Sequence, residues 1–453
     1  MKGDLTKGKV FPVMLAFALP MIVGDLLQQC YNVADTLIVG QFLGADALAA
    51  VGSSYTVMTF ITSILLGLCM GSGAVLSIRY GERNMEKLKE GMFASFVLIG
   101  LLAIILNVLS IVGIHQILSF LNVPIEVQGM MQDYLLVIFG GILGVFLYNY
   151  FAAVLRAIGN SVVPLLFLAV SAVLNIILDL YFVLVLNTGV AGAAFATILS
   201  QYVSGIGIAI FAWVKYPLLR FTREHMYIRR SVVKEIGSFS LLTCVQQSVM
   251  NFGILMVQGL VNSFGAPVMA AFAAGVKIDS FAYMPVQDFG NAFSTFVAQN
   301  YGAGRADRIK EGLKTAVITS GLFGAFVSLL VFIFAKPLML LFVKPEETQI
   351  LLEGVQYLRI EGAFYYGIGF LFLLYGLYRA IGKPGMSVVL TIISLGMRVL
   401  LAYVLSAFLG VTGIWWSVPI GWALADIFGF LYWKKEKSSC IKRCMAFAKN
   451  DVQ

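Results

Sequence analysis

Charge is what this 453-residue chain has little of: Asp, Glu, Lys and Arg make up 12% of it, against about 25% in soluble globular proteins. With 60% hydrophobic residues and a mean hydropathy of +0.91, that scarcity argues against a soluble enzyme or a nucleic-acid binder. It predicts an all-α polytopic membrane protein. Histidine is nearly absent. Only His115 and His225 occur, so there is no HExxH zinc helix and no Ser–His arrangement for nucleophilic catalysis, and an intramembrane enzyme is disfavoured. Cys30, Cys69, Cys244, Cys440 and Cys444 have neither metal-ligand spacing nor the pattern of a secreted disulfide framework, and are read as reduced thiols. No small-residue cleavage site interrupts the first apolar run, which argues against a signal peptide.

What is there is a series of apolar runs of about 20 residues or more, twelve in all, long enough to cross a bilayer as helices. The net charge of +8 concentrates in alternate loops and in the tail. Lys2, Lys7, Lys9, Arg79, Arg83, Lys87, Arg220, Arg223, Arg229, Arg230, Arg305, Arg308 and Lys434 to Lys449 fall on one predicted side, while the other side offers Lys336, Lys344 and Arg359. By the positive-inside rule both termini are expected in the cytoplasm, with the chain multi-pass in the cell membrane and the basic tail near anionic headgroups.

The chain repeats itself at a shift of about 221 residues. RYGERNMEKLKEG from Arg79 parallels NYGAGRADRIKEG from Asn300, and GADALAAVG from Gly44 parallels GAPVMAAFAAG from Gly265. RAIGN from Arg156 returns as RAIGK from Arg379, and GVAG from Gly189 as GVTG from Gly410. The expected organisation is a six-helix bundle over 1–214, a linker loop over 215–233, a second six-helix bundle over 234–433 and a basic tail over 434–453. Two such parallel, pseudo-symmetric repeats suit alternating access by rocking, and a monomer suffices for them.

The first span carries an unusual polar stripe. Asp25, Gln28, Asn32 and Asp35 follow at steps of three, four and three, so they share one helical face beside Tyr31. A carboxylate at bilayer depth costs roughly 2.5–3.5 kcal/mol on insertion scales, and persists where a cavity or a partner relieves it. Asn175 and Asp179 in the fifth span, and Thr197 and Gln201 in the sixth, repeat the four-residue spacing. Asp35, Asn175, Asp179 and Thr197 therefore form the candidate coupling site. Their oxygens suit a hard cation such as Na⁺, and the two carboxylates could instead share a proton, since close acids in a poorly solvated site do not both ionise easily. No other cofactor is expected.

In the second half a neutral stripe, including Gln247 and Asn251, replaces the acids of the first helix. The eighth span adds Lys277, Asp279, Tyr283, Met284 and Asp288, the tenth Glu361, the eleventh Arg398 and the twelfth Asp426. Lys277 is expected to neutralise Asp279. Gln28, Tyr31, Asn32, Gln201, Gln247, Asn251, Tyr283, Met284, Asp288 and Glu361 are the candidate lining of a cavity for small amphiphilic, cationic substrates, held by apolar and cation–π contacts.

Together, VADTLIVGQFLGADALAAVG, the RYG motif with its basic loop, LRAIGNSVVP, LNIILDLYFV and GVAGAAFAT resemble the multidrug and toxic compound extrusion (MATE) family over nearly the whole chain. The resemblance implies twelve helices in two six-helix bundles and export of amphiphilic, often cationic compounds in exchange for Na⁺ or H⁺. It also implies, by similarity to the DNA-damage-inducible type, a site built on acids of the first and fifth helices, here Asp35 and Asp179 with Asn175 and Thr197 as companions. Another branch carries a glutamate on the seventh helix; Gln246 and Gln247 stand there, which turns the expectation to the first half. The rival reading is a flippase for a lipid-linked oligosaccharide, whose cavity should carry several basic residues.

Overall fold

The computed structural model describes residues 3–120, 125–220 and 222–450, and side chains within that range except at 45, 56, 120, 125, 126, 254, 255 and 448–450; Lys2, the Lys449 side chain and the last three tail residues lie outside the described set. Among the described residues there is no strand. The first sequence half supplies α1 (Val10–Phe42), α2 (Ala45–Gly81), α3 (Met85–Val112), the short α4 (Ile114–Phe120), α5 (Ile125–Gly140), α6 (Ile142–Ala157), α7 (Val162–Leu180) and α8 (Gly189–Lys215). The second supplies α9 (Arg230–Asn262), α10 (Ala266–Gly302), α11 (Ala306–Met339), α12 (Thr348–Gly362), α13 (Tyr365–Ala380), α14 (Pro384–Leu409) and α15 (Val411–Asn450).

Nine of the described helices are long and apolar enough to cross a membrane, or eleven elements if each of two bent pairs counts as one span. The pairs are α5 with α6, bent by 43°, and α12 with α13, bent by 49°. They are the fourth and tenth expected spans, so the same break recurs in both halves. The remaining expected span is α10, 37 residues long but loaded with Lys277, Asp279, Gln287, Asp288 and Asn291. Large apolar side chains point outward along the helices, among them Leu109 at 62% exposure and Leu322 at 70%, as a lipid-facing surface requires.

The repeat is visible in the backbone. Gly44 and Gly265, at φ +90° and +96°, precede α2 and α10, and Gly159 and Gly382, at +85° and +80°, end the two RAIG turns. A side chain would be strained at each of the four, which explains why these motif glycines occur in both copies.

The chain groups into two compact units that do not follow the sequence halves. Unit 1 is Met1–Asp4 with Val23–Cys244, and unit 2 is Leu5–Ile22 with Val245–Gln453. One division falls before α1, between Asp4 and Leu5, and the other two fall inside α1 and α9, so each of these helices gives its first part to the unit built mainly from the other sequence half.

Unit 1 holds the first part of α9 by close backbone approach. Gly67 and Gly71 form a GxxxG pair on α2; a Cβ on Gly67 would lie 2.6 Å from Cys244 Cα, and one on Gly71 2.4 Å from the Phe239 carbonyl oxygen. Arg79 donates to Glu82 at 2.9 Å and to Glu235 at 2.6 Å, tying the end of α2 to the start of α9. The linker is docked on the same unit: His225 is buried, with Nε2 2.7 Å from Glu86 Oε2 and Nδ1 2.8 Å from Thr222 Oγ1.

Unit 2 holds the N-terminal segment by a buried polar clamp. Arg308 donates to the carbonyls of Gly8 (2.7 Å), Leu5 (3.1 Å) and Lys7 (3.3 Å) and to Asn300 Oδ1 (3.0 Å). The Leu5 amide donates to Gln299 Oε1 at 3.0 Å, and Asn300 Nδ2 returns a bond to the Leu5 carbonyl at 3.2 Å. The basic tail is no separate element, since α15 runs through it. Cys440 and Cys444 are buried and unbridged, Cys444 Sγ lies 3.6 Å from the Tyr301 carbonyl oxygen, and Phe447 packs edge-on against Tyr301. Lys383, in the α13–α14 turn, pairs with Glu436 at 2.7 Å, and that hydrogen bond holds its ammonium pKa above the ordinary lysine value.

Candidate functional site

In unit 1 three helices bring the expected acidic site together. α1 presents Asp35, α7 presents Asn175 and Asp179 on one face, and α8 presents Thr197. Asn175, Asp179 and Thr197 are 2%, 0% and 7% exposed, and Asp35 is half-buried. Asn175 Nδ2 donates to Thr197 Oγ1 at 3.3 Å, and that hydroxyl donates to the Ala193 carbonyl at 3.1 Å. Asp35 and Asp179 face each other closely enough to interact directly. Even so, Asp35 Oδ1, Asn175 Oδ1 and both Asp179 carboxylate oxygens are buried without a hydrogen-bond donor. Among the described residues no lysine, arginine or histidine forms an ion pair with either acid.

The local chain geometry has a cause near Asp179. α7 passes into a π turn over Tyr181–Val185 immediately after it, and Thr188 N bonds the Phe182 carbonyl at 3.1 Å before α8 begins. Such widened turns displace side chains from ordinary helical register, and they are frequent at functional sites. Around the acids lies an apolar cluster that includes Val39, Val51, Ile138, Val183 and Ala194. Tyr31 lies within electrostatic range of both carboxylates and beside Gln28, and Tyr134 on α5 lies near both acids. Tyr134 went unread in the sequence because one tyrosine in an apolar span carries no signal of its own. The repeat could have flagged it, for Tyr134 lies 223 positions before Tyr357, the offset that also separates Asn175 from Arg398.

Unit 2 builds a different cluster, in which Tyr357 and Arg398 stand at the positions of Tyr134 and Asn175 while the acids fall elsewhere in the repeat. Asp279 accepts hydrogen bonds from the hydroxyls of Tyr357 and Tyr365, and Glu361 and Arg398 lie within electrostatic range of it. The expected Lys277–Asp279 pair is not formed. Lys277 is exposed while Asp279 is 3% exposed, because residues two apart on a helix do not share a face. Tyr283 lies near Asp279 and Glu361. Asp288 is buried elsewhere on α10, and Asn291 Oδ1 accepts from Arg379 at 3.0 Å. Of the remaining candidates, Gln247 is buried while Asn32, Gln201, Asn251 and Met284 are half-buried. Among the described residues no hydrogen bond joins Gln201, Gln247 or Asn251 to either acidic cluster.

The two clusters differ chemically. Unit 2 supplies Asp279 with two tyrosine donors and places the Arg398 guanidinium within electrostatic range, while Glu361 Oε2 and Arg398 Nε are buried without a partner. Unit 1 gathers two carboxylates, an amide oxygen and a hydroxyl without an internal cation, an arrangement able to take a small hard cation or a proton.

Comparison with known proteins agrees with the fold. The MatE family profile matches residues 20–181 and 240–404, one block in each sequence half. The chain is 30% identical over 442 residues to "Probable multidrug resistance protein YpnP" of Bacillus subtilis (strain 168), covering 97% of this chain and 98% of that one. It is 27% identical over 416 residues to "Probable multidrug resistance protein NorM" of Thermotoga maritima, covering 89% and 87%. A solved structure of the outward-facing conformation of a multidrug resistance MATE family transporter superposes with a TM-score of 0.91 at 25% identity, over 97% of this chain and 99% of that one. A helical membrane fold repeated in two halves, matched by the family profile in both of them, makes this chain a member of the MatE family of membrane transporters.

Proposed function

We propose that the protein exports small amphiphilic, cationic molecules from the cell by antiport, driven by inward Na⁺ or H⁺ that binds at Asp35 and Asp179 with Asn175 and Thr197. The observation that carries this reading is the pair of facing, donor-less carboxylates in unit 1. Leaving such groups buried costs several kcal/mol, and an ion or proton arriving from one side of the membrane offsets that cost. Binding changes the local charge, and the two states of the site then favour different arrangements of α1, α7 and α8, which is how ion flux is coupled to access. The multidrug resistance proteins to which the chain is similar support the substrate class. The mainly acidic and neutral candidate residues favour it over a pyrophosphate-linked flippase substrate.

The test is efflux of ethidium from proteoliposomes under an imposed Na⁺ gradient or an imposed pH gradient. One gradient should drive efflux in the native chain, and Asp35→Asn or Asp179→Asn should abolish gradient-driven efflux while leaving the protein folded. Equal transport by both variants and the native chain would refute coupling at these acids.

A further inference from the structure

A further buried carboxylate oxygen without a donor lies in unit 2, away from the Asp279 cluster. Asp426 on α15 is 8% exposed, and its Oδ1 is buried with no hydrogen-bond partner. It lines a cleft of about 240 Å³ between α13 and α15, walled by Phe364, Tyr366, Phe370, Trp416 and Trp422. Four of these rings form a continuous run. Phe364 lies 5.9 Å from Trp416 and 6.1 Å from Tyr366, and Tyr366 lies 6.3 Å from Phe370, centroid to centroid. Tyr366 and Trp416 remain 37% and 38% exposed, so the cleft opens on aromatic rather than charged surface. Access to the acid depends on Gly367. A Cβ there would lie 3.9 Å from Asp426 Oδ2 and 3.8 Å from Trp422 Cβ, so a bulky side chain at 367 would fill the space in front of the carboxylate.

We propose that this cleft binds the charged, flat portion of a lipophilic organic cation, with Asp426 as counter-ion and the aromatic wall as its stacking surface. Each feature answers one property of such a ligand. A buried carboxylate without a protein donor rewards a positive charge, and ring faces attract a cation within about 6 Å of their centroids. The volume falls below the roughly 300–1,000 Å³ of pockets that enclose a drug-sized molecule, so the cleft takes the cationic ring system and leaves aliphatic substituents at the apolar mouth. A neutral apolar guest would leave Asp426 unanswered, and an anion would be repelled by it. The site is separate from the acids of unit 1 and does not depend on which ion drives export.

The experiment is photolabelling of the full chain in phosphatidylglycerol nanodiscs with ethidium monoazide, followed by peptide mass spectrometry. Adducts are expected on segments 364–370 and 416–423. They should fall at least about tenfold in Asp426→Asn, which removes the charge, and in Gly367→Leu, which fills the cleft and keeps the charge. Lys310→Ala, at an exposed position outside both sites, should leave these adducts unchanged, and the labelling uses no imposed gradient, so it reads the cleft even if the transport reading fails. Should Asp426→Asn not fold, Gly367→Leu alone decides. Absence of adducts from both segments in the native chain, or undiminished labelling in the folded variants, overturns the proposal.

Discussion

Removing the Arg308 side chain should release the N-terminal segment from unit 2. Of the four hydrogen bonds described above, those to the Leu5 carbonyl and to Asn300 Oδ1 are buried, while those to Lys7 and Gly8 reach carbonyls of exposed residues that water can satisfy instead. Counting only the two buried bonds, at about 1.5–3 kcal/mol each for a charged donor, Arg308→Ala should cost about 3–6 kcal/mol of local docking energy. That corresponds to roughly a hundredfold to ten-thousandfold rise in the open fraction of the segment. The Leu5 amide is a direct reporter, because its hydrogen bond to Gln299 Oε1 closes only when the segment is docked. Hydrogen exchange read by mass spectrometry should show protection of peptides covering residues 5–10 fall by about two orders of magnitude or more, with α3 and α14 unaffected. Lys310→Ala, which removes an exposed basic side chain two residues away, should change nothing. Unchanged exchange at Leu5 in Arg308→Ala would refute the clamp.

Two further outcomes follow from packing. Tyr357→Phe removes one of the two donors to the buried Asp279 and should destabilise the fold by about 1–3 kcal/mol, seen as a lowered midpoint of thermal unfolding, whereas Tyr403→Phe at a 52% exposed position should not. Gly71→Leu forces a Cβ to 2.4 Å from the Phe239 carbonyl oxygen and should sharply reduce the monodisperse yield on size-exclusion chromatography; Gly52→Ala on the same helix, where a Cβ meets nothing within 4 Å, should express as the native chain does.

Much of the candidate site was legible because helical spacing alone places residues on a face. The four-residue step from Asn175 to Asp179 needed no tertiary knowledge, and the rarity of acids in apolar spans pointed to Asp35, whereas, among the described residues, the equal step from Thr197 to Gln201 leads to one with no hydrogen bond to the acids. The membrane class and the internal repeat were legible for the same reason, since both are patterns along the chain. Contacts between distant residues were not. Nothing local to Asp279 signals that its partners are Tyr357 and Tyr365, 78 and 86 positions away, so the nearest cation, Lys277, was the natural but incorrect choice. The breaks at Gly140–Gly141 and around Phe364 were hidden inside continuous apolar runs, because hydropathy measures length in the membrane and not direction. The continuation of α15 into the tail was equally hidden: a basic composition suggests solvent, while Cys440, Cys444 and Phe447 turn inward on one helical face.

The residues that Arg308 clamps are synthesised about 300 positions before Arg308 itself. At about 5–20 residues per second, the segment from Leu5 waits roughly 15–60 s for its partner to be synthesised. Through that interval Gln299, Asn300 and Arg308 do not yet exist, and the opening turns of the first helix must be kept from other partners by the insertion machinery or by lipid. A chain truncated before Arg308 would therefore lack not only most of unit 2 but also the permanent seat of the Leu5–Gly8 segment.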